Sequence, residues 1–172
     1  SVYHMFGLFK KKIAQPVKEA KTDFDRLMQE QLKIIEESPL DPILSNGESD
    51  IYCQMIVLNG YRSLSLVITG CININTIEGC KLVLISDNGN YECNSDGDIV
   101  KGDYSERLQI GVTNFDIDLD DELVDFVANQ NITSAQIQTR NGQLRKSVIE
   151  ITYPTVNQEF FNKILNAVEE ED

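Results

Sequence analysis

The chain has 172 residues, of which 41% are hydrophobic and 25% are charged, and its formal net charge is −13. This composition is typical of a globular protein with one hydrophobic core, and no apolar run approaches the roughly 20 residues of a membrane-spanning helix. The negative charge disfavours nucleic acid as a partner, because phosphate binding requires a basic face. We therefore expect no integral membrane segment and no nucleic-acid partner.

The amino-terminal region is basic. Residues 1–21 carry five lysines and one glutamate. We interpret residues 1–4 as the remnant of an expression tag, because the sequence that starts at Met5 has the character of a natural beginning. That interpretation makes His4, the single histidine, foreign to the protein. Met5 is followed by no long apolar run, so the segment does not have the pattern of a secretory signal.

Apolar residues at near-helical intervals predict an amphipathic helix over residues 16–37. The stretch 38–50 is rich in Pro, Ser and Asp, which predicts a linker between this helix and the rest of the chain. The helix could pack on its own sheet, pair with a second copy in a homodimer, or bind a partner. We accordingly divide the chain into the tag remnant, a segment 5–50 with the basic stretch, helix and linker, and a single α+β domain over 51–172.

The middle of the chain is predicted to be rich in β-strands. Residues 51–58 and 61–69 are β-prone runs joined by Asn59-Gly60, the dipeptide most favourable for a tight hairpin turn. Further strand-like runs occupy residues 81–86, 91–93, 106–116, 132–139 and 144–153. A short helix is expected at about 119–130, and a closing amphipathic helix at about 155–169. The fold class is therefore α+β, with an antiparallel sheet or partly closed barrel of about six to eight strands.

The stretch 115–126 contains six acidic residues and admits two interpretations. Asp116, Asp118 and Asp120 have the spacing of the first ligands of a calcium loop, but Asp121 and Val127 stand where that loop requires Gly and Glu. A helix start explains the pattern better: Asp118 or Asp120 caps the helix, and Asp121 and Glu122 lie in its first turn. We also predict that five of these acids bind a protein partner: Asp116, Asp118, Asp120, Asp121 and Glu122.

A second candidate for calcium is a pair of oxygen-rich turns at residues 87–90 and 94–98. Their ligands would be Asp87, Asn90, Asp96 and Asp98, which come close together if the strand between the turns is short. The same residue types are what tight turns require, so turn formation is the favoured explanation. We expect no cofactor.

The four cysteines, Cys53, Cys71, Cys80 and Cys93, form no Cys-x-x-Cys pair, which argues against a zinc site. We expect free thiols in a reducing compartment, so the predicted location is the cytoplasm. A bridge between Cys71 and Cys80 remains the alternative for an exported protein.

Motifs for nucleophilic catalysis, phosphate loops and dinucleotide binding do not occur in the sequence. Paired carboxylates could still perform acid–base chemistry, since acids are plentiful. Arg140, Arg145 and Lys146 near the last hairpin form a cluster that could hold an anion, although protection of a strand edge by charge is the favoured role.

The order of elements, helix, several strands, helix, two strands and helix, together with the acidic composition, resembles the class I chaperones of bacterial type III secretion over residues 16–170. That resemblance implies a dimer that binds an unfolded segment of an effector. The strands closed by a carboxy-terminal helix are also similar to pleckstrin-homology-like barrels.

The function we expect is that of a non-catalytic, acidic protein-binding module with a protein partner whose charge is basic. Residues 85–125 hold twelve acids against Lys101 and Arg107, and this excess favours such a partner. The alternatives are a secretion-chaperone-like or toxin-neutralising (immunity-type) protein, and a hydrolase that uses paired carboxylates.

Overall fold

The computed structural model describes residues 23–37, 40–142 and 147–167. Three helices and twelve strands occur in these ranges. The helices are α1 (Asp23–Glu36), α2 (Asp121–Asn129) and α3 (Gln158–Leu165). The strands are β1 (Leu44–Ser45), β2 (Ser49–Leu58), β3 (Tyr61–Gly70), β4 (Asn75–Thr76), β5 (Cys80–Ser86), β6 (Gly89–Asn94), β7 (Val100–Lys101), β8 (Asp103–Ser105), β9 (Ile110–Asp118), β10 (Ile132–Asn141), β11 (Ser147–Tyr153) and β12 (Thr155–Val156).

The strands form two main antiparallel sheets. The large sheet has six strands in the order β12-β1-β2-β3-β9-β8, and the small sheet has four in the order β11-β10-β5-β6. Strands β4 and β7 form a separate two-stranded ribbon. The described strands close no barrel, so the α+β prediction is confirmed in its antiparallel-sheet form.

The hairpin of β2 and β3 is the longest pairing and follows the local sequence. Leu58 pairs with Tyr61, and the ten-residue register continues to Ser49 opposite Gly70. Asn59 and Gly60 adopt positive φ of 53° and 77°. Two successive positive φ values produce the turn whose twist matches that of the flanking strands, and Asn-Gly accepts them at little cost. The predicted hairpin is confirmed.

The main core lies between the two sheets. Strands β2, β3 and β9 turn alternate side chains towards it, and strands β5 and β10 contribute from the small sheet. The residues that fill it include Ile51, Cys53, Leu64, Leu66, Ile68, Phe115 and Ile117 from the large sheet and Leu82, Leu84, Ala135 and Ile137 from the small one. Helices α2 and α3 add Leu123, Val127, Phe161 and Leu165.

Helix α1 packs on the opposite, outer face of the large sheet. Met28 and Ile35, seven residues apart and thus on one side of the helix, form a second core with Tyr52, Val67 and Val112. The large sheet is therefore buried on both faces where α1 crosses it. This explains why the six consecutive residues from Leu64 to Thr69 in β3 are all buried.

The linker prediction differs from the structure. Within residues 40–50, Ile43 and Leu44 are buried in the main core, β1 pairs with both β2 and β12, and β2 already starts at Ser49. The Pro, Ser and Asp residues of this stretch favoured a loop. It packs against the large sheet because its apolar side chains are buried there. The boundary placed at residue 51 thus falls inside β2.

The other differences are smaller. The carboxy-terminal helix starts at Gln158, because residues 155–156 pair as β12 with β1. Cys53, Cys80 and Cys93 are buried as free thiols, but Cys71 is exposed. Residues 16–22 of the predicted first helix lie outside the described residues. In the described part of the chain, no helix is long and apolar enough to cross a membrane.

Candidate functional site

Strand β9 sends its acidic residues to the outer face of the large sheet. Phe115 and Ile117 point into the main core, so Asp116 and Asp118 point the other way, towards the face on which α1 lies. Asp116 pairs with Ser65 and Asp118 with Ser63 across the β3–β9 ladder. The period of a strand therefore places two carboxylates side by side on one surface.

Apolar side chains flank these acids at the tip of the β2–β3 hairpin. Leu58 and Tyr61 pair directly and lie on the outer face, with exposures of 70% and 57%. The second core that α1 covers involves the other end of the sheet, at Tyr52, Val67 and Val112. We call Leu58, Tyr61, Asp96, Asp116 and Asp118 the acidic platform.

Hydrogen bonds hold the β9 carboxylates in position. The hydroxyl of Ser65 donates to Oδ1 of Asp116 over 2.6 Å and accepts from Nδ2 of Asn114 over 3.0 Å. The hydroxyl of Tyr61 donates to Asp118. This bond, more than any other interaction, raises the pKa of Tyr61 to about 12 because it favours the protonated phenol.

Asp96 joins the platform from the loop after β6. Its backbone N–H donates to the carbonyl of Asp116 over 2.8 Å, and the adjacent Ser95 forms a bridge with Ile117. Partial desolvation is the first cause that raises the pKa of Asp96 to about 6, followed by its contact with Asp118 and the charges of Asp118 and Asp116. Three carboxylates thus converge on one surface.

A cleft of about 570 Å³ runs beside the platform, between α1 and the loop that follows β6. Gln31 of α1 lines one side, Asn114 and Asp116 contribute from β9, and Asp96 stands on the loop side. Asp103 and Lys101 also line it, as do the apolar residues Ile99, Val100, Val112 and Phe115. The charges that line this cleft are three carboxylates and one ammonium group, so its potential favours a cationic group.

The five acids predicted to bind a partner are divided by the structure. Asp116 and Asp118 lie together on the platform. Asp120 caps α2, because its Oδ1 accepts from the backbone N–H of Leu123 over 2.8 Å, as a helix start requires. Asp121 and Glu122 are exposed in the first turn of that helix. The cap interpretation is confirmed, with Asp120 as the capping residue.

The four residues considered for calcium are not brought together. Asp87 stands beside Asn90 at the hairpin turn between β5 and β6, and its Oδ2 accepts from Nδ2 of Asn131 over 3.0 Å. Asp96 and Asp98 follow the other end of β6, whose six residues extend about 20 Å. Among the described residues, no group of three or more His, Cys, Asp or Glu side chains is arranged to hold a metal ion.

Arg140 is exposed near the end of β10, where it lines a cleft of about 490 Å³ on the small sheet. Lys81 shares that cleft, but its ammonium group is paired with Glu92 over 3.1 Å. The acids Glu78, Asp98 and Glu150 line the same cleft, so its charge does not select an anion. Arg145 and Lys146, the other members of the predicted cluster, lie outside the described residues.

Sequence reasoning missed Tyr61 and Leu58 as members of the site and assigned Asp96 to a different one. The hairpin register could have placed Tyr61 opposite Leu58, since both flank Asn59-Gly60. The approach of Asp96 to Asp118, in contrast, depends on how the loop after β6 meets β9 and has no local signal. No protein-family model, no curated protein sequence and no solved structure matches this chain.

Proposed function

We propose that the protein is a non-catalytic protein-binding module that uses the acidic platform to hold a partner segment carrying lysine or arginine beside an apolar anchor. The observation that carries this proposal is the position of Leu58 and Tyr61, both more than half exposed, next to Asp96, Asp116 and Asp118 on one face of the large sheet.

The two halves of the platform have different roles in binding. Burial of exposed Tyr61 supplies affinity, because a few aromatic side chains, Tyr among them, carry much of the binding energy at interfaces. Burial of Leu58 adds the free energy of removing apolar surface from water. The carboxylates select a basic partner and accelerate its approach, and their contribution weakens as salt screens them. The bonds from Ser65 to Asp116 and from Tyr61 to Asp118 limit the entropy that these side chains lose on binding.

The test is binding of a lysine-rich peptide with one aromatic anchor, measured by fluorescence anisotropy at low and high salt. We expect the D116N/D118N variant to lose at least tenfold in affinity at low salt, and Leu58→Ala to lose about as much at both salt concentrations. D121N/E122Q is the matched control, since it removes two exposed carboxylates at the start of α2. Equal losses in the control and platform variants would refute the proposed site.

The partner can also be a second copy of the chain, because Phe24 and Leu27 of α1 are exposed with 46% and 43% of their surfaces accessible. This supports the predicted homodimer through the first helix. Light scattering over a hundredfold dilution tests it, and Leu27→Asp is expected to abolish any dimer.

The buried free thiols of Cys53, Cys80 and Cys93 support a reducing location such as the cytoplasm.

A hydrolase with paired carboxylates is the second candidate, favoured by the contact of Asp96 with Asp118. With the pKa of Asp96 raised to about 6, this residue would act as the acid and Asp116 or Asp118 as the base. The site is an open groove, whereas hydrolases usually enclose their substrate, so we rank this function second. Hydrolysis of glycoside substrates that is lost in Asp96→Asn would establish it.

A further inference from the structure

We infer that the lysine-rich segment of residues 5–21 of this same chain docks on the acidic platform and competes there with the partner. The inference rests on the function proposed above and assigns to the site its own regulator. It predicts that a partner must displace the segment before it binds.

The composition of residues 5–21 complements that of the platform. The segment contains Lys10, Lys11, Lys12, Lys18 and Lys21 with one acid, Glu19. The platform carries the three carboxylates of Asp96, Asp116 and Asp118. Apolar side chains precede the lysines at Met5, Phe6, Leu8 and Phe9, as Leu58 and Tyr61 adjoin the carboxylates. Both the charged and the apolar parts therefore have counterparts within one chain.

The attachment of α1 sets the distance that the segment must cover. The hydroxyl of Ser105 donates to the carboxylate of Asp25, and Ser105 pairs with Ile110 at the start of β9. Asp118 lies eight residues further along this strand, about 26 Å away. Lys10 precedes Asp23 by thirteen residues, and with residues 16–22 in the predicted helix these span at most about 31 Å. The lysines can reach the platform.

Attachment to the same chain makes this contact effective even if the isolated segment binds weakly. Short tethers give an effective concentration in the millimolar range, which exceeds that of most free partners. If the segment occupies the platform nine-tenths of the time, the apparent affinity for an external ligand falls about tenfold. A partner therefore binds the platform only if its affinity or its concentration is high enough to displace the segment.

Zero-length carbodiimide crosslinking of the full chain tests where the segment lies. We expect intrachain crosslinks from Lys10, Lys11 or Lys12 to Asp116 or Asp118 in the monomer, weakened by high salt, and in clear excess over crosslinks to Asp121 and Glu122. An equal yield at both pairs of acids would overturn the inference. Crosslinks found only in a covalent dimer would overturn it too, and would identify a second copy as the occupant.

Binding of the free peptide of residues 5–21 to the full chain gives the second test. The K11Q/K12Q variant is expected to bind this peptide more tightly than the unaltered chain, by up to about tenfold, because its own segment competes less. K33Q/K163Q, which removes two exposed lysines elsewhere, is the matched control and should behave as the unaltered chain. Equal, measurable affinities in all three proteins would overturn the inference and leave the binding module standing. Absence of peptide binding in all three, together with failure of the unrelated lysine-rich peptide, would refute both.

Discussion

The attachment of α1 to the large sheet offers a sharp test of the packing argument. Asp25 is only 4% exposed. Its carboxylate accepts hydrogen bonds from the hydroxyl of Ser105 and from Nε of Arg107, the latter over 2.6 Å. Asp25→Ala removes this acceptor and leaves the donor of Ser105, itself 2% exposed, without its carboxylate. The side chain of Arg107 is 39% exposed, so its freed charge turns to water at modest cost.

The expected loss in the free energy of unfolding is about 2 kcal/mol. An orphaned buried hydroxyl costs roughly 1–3 kcal/mol, and an ion pair with one partly exposed member adds about 0.5–1 kcal/mol. Asp25→Asn keeps an acceptor for Ser105 and should lose about half as much. In a double-mutant cycle with Arg107→Ala, the coupling should be about 1 kcal/mol.

The assay is denaturant unfolding followed by circular dichroism, with hydrogen exchange to locate the change in α1. Asp23→Ala is the matched control, because Asp23 lies on the same helix with its side chain 89% exposed and an ion pair to Arg26 at 3.4 Å. The control should change stability by less than 0.5 kcal/mol. An Asp25→Ala variant as stable as the control, or zero coupling to Arg107, would refute the role assigned to this pair.

Three further predictions concern the start of β9, the α2 cap and the platform. Gly111→Ala should destabilise the fold by about 3 kcal/mol in the same denaturant assay, because its Cβ would lie 2.1 Å from the carbonyl oxygen of Ile72; near-unaltered stability would contradict this. Asp120→Ala should cost about 1 kcal/mol through loss of the bond to Leu123, with faster exchange confined to α2 as the check. The raised pKa of Asp96, about 6 in the fold against 3.8 normally, means that the folded state binds the extra proton, so stability should decline as pH rises from about 4 to 6. Asp96→Asn should remove that decline in unfolding midpoints measured across this range, and an unchanged pH profile would contradict the assignment.

The sequence by itself determined the elements whose signals are local. Asn59-Gly60 specified the β2–β3 hairpin, because the turn depends only on the two residues that adopt positive φ. The acidic residues around Asp120 specified a helix start, because a cap needs one side-chain acceptor at the first turn. The structure then chose Asp120 over Asp118 as the cap, through its bond from the N–H of Leu123.

Only the tertiary structure decided which of these elements meet. The sequence distance between Tyr61 and Asp118, or between Asp96 and Asp118, carries no sign that their side chains converge. The platform exists because β9 pairs with β3, the loop after β6 bridges to Ile117, and α1 covers the far end of the sheet at Val112. These contacts depend on strand order and on the burial of two separate cores. Both involve residues far apart in the sequence, so no short stretch of sequence predicts them.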